Sequence, residues 1–258
     1  MRRIVFIISI LCISFNSIAQ PASYSVANAH SHNDYENPVP FYTAYNEHFG
    51  SIEADIFLQK DELVVAHDMK EVLMHRTLEQ LYLEPLAAAV QKNNGFAYAD
   101  TNRQLQMLID IKTDAATTLK KLIEILKQFP VLINNRSIKW VITGNRPDQS
   151  EFVSYPSFIL FDGELYKEYT QEALTKIVML SDDFKNYSHW DGKGNIPAPE
   201  EAKLTEAINK AHHLHKAVRF WDAPDNVEAW MQFMKFGVDY INTDHITSLS
   251  MFLSARYG

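Results

Sequence analysis

A single cysteine occurs in 258 residues, Cys12. It sits in an apolar N-terminal run, and the residues leading to it, SILC, lack the small side chains expected ahead of a lipidated cysteine. With that run set aside, disulfides, thiolate metal sites and a cysteine nucleophile are all excluded. Basic charge is also scarce: 24 Lys and Arg face 32 Asp and Glu, a formal net charge of -8. A nucleic-acid binder needs a basic face, so that class is excluded. An acidic chain has no electrostatic attraction to anionic membranes either. The longest apolar run, IVFIISILCISF, is shorter than the ~20 residues a membrane span requires. No internal repeat, low-complexity tract or long linker is present.

That apolar run follows Arg2 and Arg3 and ends in SIA before Gln20. This is the pattern of a cleaved secretory signal over residues 1–19. The expectation is a secreted or periplasmic protein whose residues 20–258 form one domain, with no stable membrane insertion after cleavage.

The whole chain is 47% hydrophobic, and beyond residue 19 it alternates short β-branched runs with helical patterns. Eight strand candidates are YSVANAH, GSIEADIFL, LQMLIDIK, IKWVITG, SFILFDG, KIVMLSDD, AVRFWD and VDYINTD. Helical segments lie between them; Leu119, Leu122, Ile123 and Leu126 mark one with the 3.6-residue period. Strand–helix alternation repeated eight times predicts an α/β fold, a parallel (β/α)₈ TIM barrel. DELVVAHD follows the second strand too closely to be its parallel neighbour, and reads as a return of that strand ending at His67. WDGKGNIPAPEE, with two Gly and two Pro, is the longest loop-like segment and reads as a surface connection.

Polar residues gather at the strand ends, where barrel chemistry resides. His30 ends the first strand, Glu53 and Asp55 lie in the second, and Asp110 and Lys112 end the third. Later strands end in Asn145, Asp162, Asp182 and Asp183, Trp221, and Thr243 and Asp244. Three carboxylates facing one barrel mouth, Glu53, Asp55 and Asp110, resist ionising together. A hard divalent cation, Ca²⁺ or Mg²⁺, relieves that repulsion through oxygen ligands. His30 and His67 would then serve as proton donor and acceptor. Lys112, on the face of Asp110, would hold a phosphate oxygen. Together these groups suit cleavage of a phosphodiester bond. His48, His75, His212, His213 and His215 read as helix or loop histidines without a catalytic part.

The order of these pieces resembles the glycerophosphodiester phosphodiesterase and phosphatidylinositol-specific phospholipase C superfamily. Its members carry a histidine ending the first strand, a Glu-Asn pair before the first helix, a Glu-x-Asp strand, a turn and VV-x-HD, an acidic-Ile-Lys strand, and a terminal Thr-Asp. Here these read His30, Glu36 and Asn37, EADIFLQKDELVVAHD, LIDIK and NTD. The resemblance implies a (β/α)₈ barrel, His30 and His67 as general acid and base, and Glu53, Asp55 and Asp110 as ligands of a divalent cation. It also implies Lys112 as a phosphate contact and a small phosphodiester as substrate, either a glycerophosphodiester or a phospholipid headgroup. Two departures stand out. The usual His-Arg-Gly opening is HSHND, so the arginine is missing and His32, Asn33 or Asp34 is left to replace it. The third metal position is Asp110 in place of the more usual Glu. AHSHNDY with LIDIK is similar to the branch that includes altered inheritance of mitochondria protein six. Trp221 joins His32 and Asn33 as an expected substrate contact.

Two other readings stay open on the residues alone. His30-x-His32 is also a dimetal pattern of histidinol-phosphatase-like phosphoesterases. A secreted barrel that binds a lipid or glycan headgroup without turnover is the second, with Trp190 and Trp221 as its aromatic contacts.

Overall fold

The computed structural model describes residues 21, 23–74 and 76–257. The expected signal over residues 1–19 and the loop histidine His75 lie outside the described residues.

Among the described residues nine strands form one sheet: β1 (Ala29–Ser31), β2 (Ser51–Gln59), β3 (Glu62–Val65), β4 (Leu105–Ile111), β5 (Ile138–Gly144), β6 (Ile159–Glu164), β7 (Ile177–Asp183), β8 (Ala217–Trp221) and β9 (Ile241–Thr243). Their order is β8-β7-β6-β5-β4-β2-β1-β9, parallel throughout. A parallel bridge between Arg219 and Tyr240 brings β8 against the far end, so eight strands close into a nearly complete TIM barrel. Only β3 lies off this path, paired antiparallel with β2. The two-residue turn between them places Lys60 and Asp61 at φ 45° and 71°, the left-handed geometry whose twist suits a tight hairpin. The return of the second strand is therefore a hairpin, and His67 lies two residues past its end.

Helices cover the outside. Helix α1 spans Tyr42–Asn46, α2 Glu84–Lys92, α3 Ala115–Leu126, α4 Pro130–Ile133, α5 Gln171–Leu174, α6 Ala198–His213, α7 Val227–Phe236 and α8 Ile246–Tyr257. In α3, Asp114 caps the start by accepting from the Thr117 N–H, and Leu119, Leu122, Ile123 and Leu126 are buried against the strands. None of the helices among the described residues is long and apolar enough to cross a membrane.

Two sequence expectations shift in extent. The first strand shrinks to three residues because Ser25 and Asn28 cap each other's backbone and wind Val26–Asn28 into a 3₁₀ turn. The WDGKGNIPAPEE connection ends at Pro197, where α6 takes over; it is largely exposed but anchored by buried Trp190 and Ile196, and the Trp190 indole donates to the Lys193 carbonyl, 2.7 Å. Helix α1 has only five residues, held back by Pro38, Pro40 and a left-handed Phe41 at φ 63°.

The strands sort their side chains by a period of two. Outward residues such as Ile52, Ala54, Ile56, Ile109 and Ile142 join the main core under the helices. Inward residues at mid-strand, Leu108, Val141 and Met179, form a separate small apolar floor. Two residues further along the same strands stand Asp110, Thr143 and Ser181. Each of these strands thus changes from apolar to polar on its inner face as it nears the carboxyl end, and that change makes the site.

Candidate active site

Register sets the carboxylates side by side. Strands β2 and β4 pair with Asp55 opposite Asp110, and Glu53 lies one inward step below on β2. Glu53, Asp55 and Asp110 each offer an oxygen, all within 4.8 Å of one another; they are the one cluster of three or more potential metal-ligating side chains among the described residues. The first two are almost fully buried.

Each carboxylate has its own electrostatic setting. Burial pushes Asp55 up, and the neighbouring Glu53 and Asp110 push it further, to about 7 despite Lys112. Asp110 is also raised, first by burial and then by Glu53. Glu53 behaves differently. Burial opposes its ionisation, but Arg219 and the hydrogen bond to His30 outweigh that and hold it well below the usual carboxylate range. Lys112 Nζ donates to Asp55 Oδ2 and Asp110 Oδ2, 2.9 Å each. Burial lowers the ammonium, but these two partners more than offset it, so Lys112 stays charged.

The outer oxygens tell whether a cation fits. Asp55 Oδ1 and Asp110 Oδ1 are both buried and accept no hydrogen bond. An orphaned buried carboxylate oxygen is costly, and two of them in one all-oxygen cluster suit a hard divalent cation. Gly144 keeps the space open: its φ is +69°, and a Cβ there would stand 2.0 Å from Asp110 Oδ1. The residues fit the ion expected from the sequence.

The two expected catalytic histidines occupy different settings. His67 is half exposed, with its Nδ1 3.2 Å from the Tyr35 hydroxyl and 3.9 Å from Asp55 Oδ2. His30 is completely buried. Its Nδ1 lies 2.7 Å from Ser51 Oγ, and its Nε2 lies 2.7 Å from Glu53 Oε2 and from Arg219 Nη1. Burial and the Arg219 charge push it down to about 4, so the ring is neutral.

A cavity of about 620 Å³ opens above the carboxylates. Its wall includes the expected substrate contacts His32, Asn33, Lys112 and Trp221, together with Glu53, His67 and Asp110. A second cavity of about 760 Å³ adjoins it, sharing Lys112, Gly144, Arg146 and Glu164. Asp34 is not on the wall. It is buried below, accepting from Ser31, Tyr82 and the Phe41 N–H, so it stabilises the loop and does not replace the missing arginine. His212 pairs with Asp239 and His213 with a backbone carbonyl, in keeping with structural parts for both. The dimetal reading gains no support, since His30 turns down to Glu53 while His32 bonds Asp244.

Arg219 and Tyr35 are among the site residues that escaped the sequence reading. Arg219, inside β8 and 3% exposed, donates to Glu53 Oε2 at 2.7 Å and restores an arginine to the cavity wall from the opposite end of the chain. Its signal was a lone charge in an apolar strand, on the face of Trp221 two residues on. Tyr35 places its hydroxyl 2.8 Å from Asp55 Oδ2 and 2.8 Å from Asn33 Oδ1. Nothing in its spacing marked it, because a loop brings it to the site.

Residues 22–145 match the AIM6-like phosphodiesterase domain, and residues 217–247 match the glycerophosphoryl diester phosphodiesterase family. Altered inheritance of mitochondria protein 6 homolog from Arthroderma benhamiae is 28% identical, over 85% of this chain and 81% of its own length. Altered inheritance of mitochondria protein 6 from Eremothecium gossypii is also 28% identical, over 88% of this chain and 69% of its length. A crystal structure of a glycerophosphodiester phosphodiesterase from Parabacteroides distasonis superposes with a TM-score of 0.57, covering 90% of this chain and 98% of that one at 13% identity; it supports the fold alone. These comparisons correct the expected secreted or periplasmic location. The relatives are named for the inheritance of mitochondria, an intracellular organelle, and none of those names is that of a secreted protein. With the barrel, the acidic cluster and both family matches in agreement, the chain resembles the glycerophosphodiester phosphodiesterase and phospholipase-C-like superfamily and, within it, the AIM6-like branch.

Proposed function

We propose that this protein hydrolyses a small phosphodiester with the help of a divalent cation. The observation that carries the reading is the buried trio Glu53, Asp55 and Asp110, with two carboxylate oxygens left unpartnered beside a lysine and within reach of a histidine. Calcium or magnesium held there would supply positive charge against the phosphoryl oxygens as they become more negative.

The chain's own groups do the rest. Lys112 keeps its charge and, with the Arg219 guanidinium beside it on the cavity wall, favours an anionic phosphodiester there. The adjoining space past Arg146 accommodates the alcohol portion. Trp221, 39% exposed at the rim, offers a flat apolar contact. His67 stands beside Asp55 and the Tyr35 hydroxyl, where it can take the proton of an attacking water or of a neighbouring substrate hydroxyl. With a vicinal hydroxyl as nucleophile the first product is a cyclic phosphate. The leaving oxygen receives its proton from the other side of the site, at the end of β1, where His30 and His32 both stand.

The test is turnover of bis-p-nitrophenyl phosphate and of glycerophosphodiesters by purified protein, with and without chelator. His67→Ala should lower kcat/KM by about 10²–10⁴-fold. Activity that survives chelation and His67→Ala, or tight binding with no turnover, would overturn the proposal.

A further inference from the structure

We infer that His32, held by Asp244, is the group that protonates the leaving oxygen, in place of His30. The inference deepens the phosphodiesterase reading and rests on it. His30 is fully buried and both its ring nitrogens are engaged, so a substrate in the cavity finds no open edge of that ring. His32 lies two residues on and forms part of the cavity wall, shared with His67 and Lys112.

Its geometry is that of an oriented imidazole. Nδ1 lies 2.8 Å from Asp244 Oδ1, and Nε2 has no hydrogen-bond partner among the described residues. The backbone is pinned as well, since the His32 N–H donates to the Thr243 carbonyl at 3.0 Å. Asp225 secures the carboxylate's own loop by accepting from the Asp244 N–H and the Thr243 hydroxyl, 2.8 and 2.9 Å. A carboxylate on Nδ1 fixes the tautomer and stabilises the charged ring, leaving Nε2–H to act on substrate. Burial and Arg219 disfavour that charge, but Asp244 and Glu53 outweigh them and the ring is raised above its ordinary value. His67 and His32 thus stand on different stretches of one wall, beyond β3 beside Asp55 and beyond β1 beside β9.

The step balances simply. The nucleophile's O–H proton passes to His67 as its oxygen bonds to phosphorus. The bond from phosphorus to the leaving oxygen breaks, and that oxygen keeps the electron pair and takes the Nε2 proton of His32. His32 is left neutral with Nδ1–H on Asp244, and solvent returns the proton from His67.

A general acid matters only when the leaving group is basic, which a structural residue does not reproduce. The full chain and its His32→Ala, His32→Gln and Asp244→Asn variants are assayed with magnesium or calcium on methyl phosphodiesters of p-nitrophenol, phenol and an alkyl alcohol. Circular dichroism and thermal melting check that the variants are folded. Loss of His32 should cost about 10²–10⁴-fold on the alkyl ester and less than about tenfold on the p-nitrophenyl ester, whose alcohol leaves without a proton. Asp244→Asn should show the same slope with smaller losses. Equal losses on all three esters, or none, overturn the role of His32 while leaving the phosphodiesterase reading intact. Absence of wild-type turnover even on the p-nitrophenyl ester overturns both.

Discussion

Replacing Arg219 with Met should leave Glu53 buried and short of its strongest partner. The two side chains are each 4% exposed and meet at 2.7 Å. At an effective dielectric of ~20 that separation corresponds to about 6 kcal/mol of gross attraction. Desolvation offsets part of this in the intact pair, but removing one member strands the other, a loss of about 3–5 kcal/mol. For a chain of this size the same loss lowers Tm by roughly 6–20 °C. The pH dependence has a definite sign. In the wild-type protein Glu53 is held below its unfolded value, so its contribution is present above the ordinary carboxylate range and fades as pH falls through and below that range. In the variant, burial without Arg219 raises the same carboxyl, so its penalty is largest at neutral pH and vanishes on acidification. The gap between the two proteins must therefore narrow from pH 7.5 to pH 5. Urea unfolding of Arg219→Met, Glu53→Gln and the double variant, all in chelator, measures it. A loss under about 1 kcal/mol, a gap that widens in acid, or a double variant no better than Arg219→Met would refute the reasoning.

Further outcomes follow from the acidic cluster. Asp55 is raised to about 7, so in chelator it weakens folding above its unfolded value, and Asp55→Asn should raise Tm most at pH 8 and less at pH 5. The same substitution should abolish the rise in Tm that calcium or magnesium gives the wild-type protein, about 2.7 kcal/mol at a hundredfold excess over Kd. Gly144→Ala should cost about 1–3 kcal/mol through its left-handed backbone alone and should weaken cation stabilisation by displacing Asp110 Oδ1; unchanged cation response by differential scanning fluorimetry would count against that packing. Tyr35→Phe removes a hydroxyl from Asp55 and His67, and it should lower kcat more than KM in the phosphodiester assay.

Much of the site was legible because it is carried by strands. In β2 and β4 the two-residue period places Glu53, Asp55 and Asp110 on one inner face, and parallel register aligns them without further information. The hairpin that carries His67 was legible from the shortness of its turn. Loop-borne contacts were not: Tyr35 reaches the site through a turn, and Asp244, legible as a strand-end residue, gave no sign of its pairing with His32, because both depend on contacts across the whole chain. β1 is shorter than its apolar pattern for a local reason, since capping by Ser25 winds Val26–Asn28 into a 3₁₀ turn.

The amino-acid order alone determined the alternating barrel, the strand-end placement of the polar groups and the acidic trio, because strand periodicity acts over a few neighbouring residues. Only the tertiary structure decided which histidine faces the cavity and which is buried against Glu53. Pairing sets β9 beside β1 and ring closure sets β8 beside β9, so Arg219 locks His30 and Asp244 orients His32 across separations of 189 and 212 residues. Contacts of that range have no periodic trace in the sequence, and burial, which sets the charge of each group, exists only once the barrel has closed.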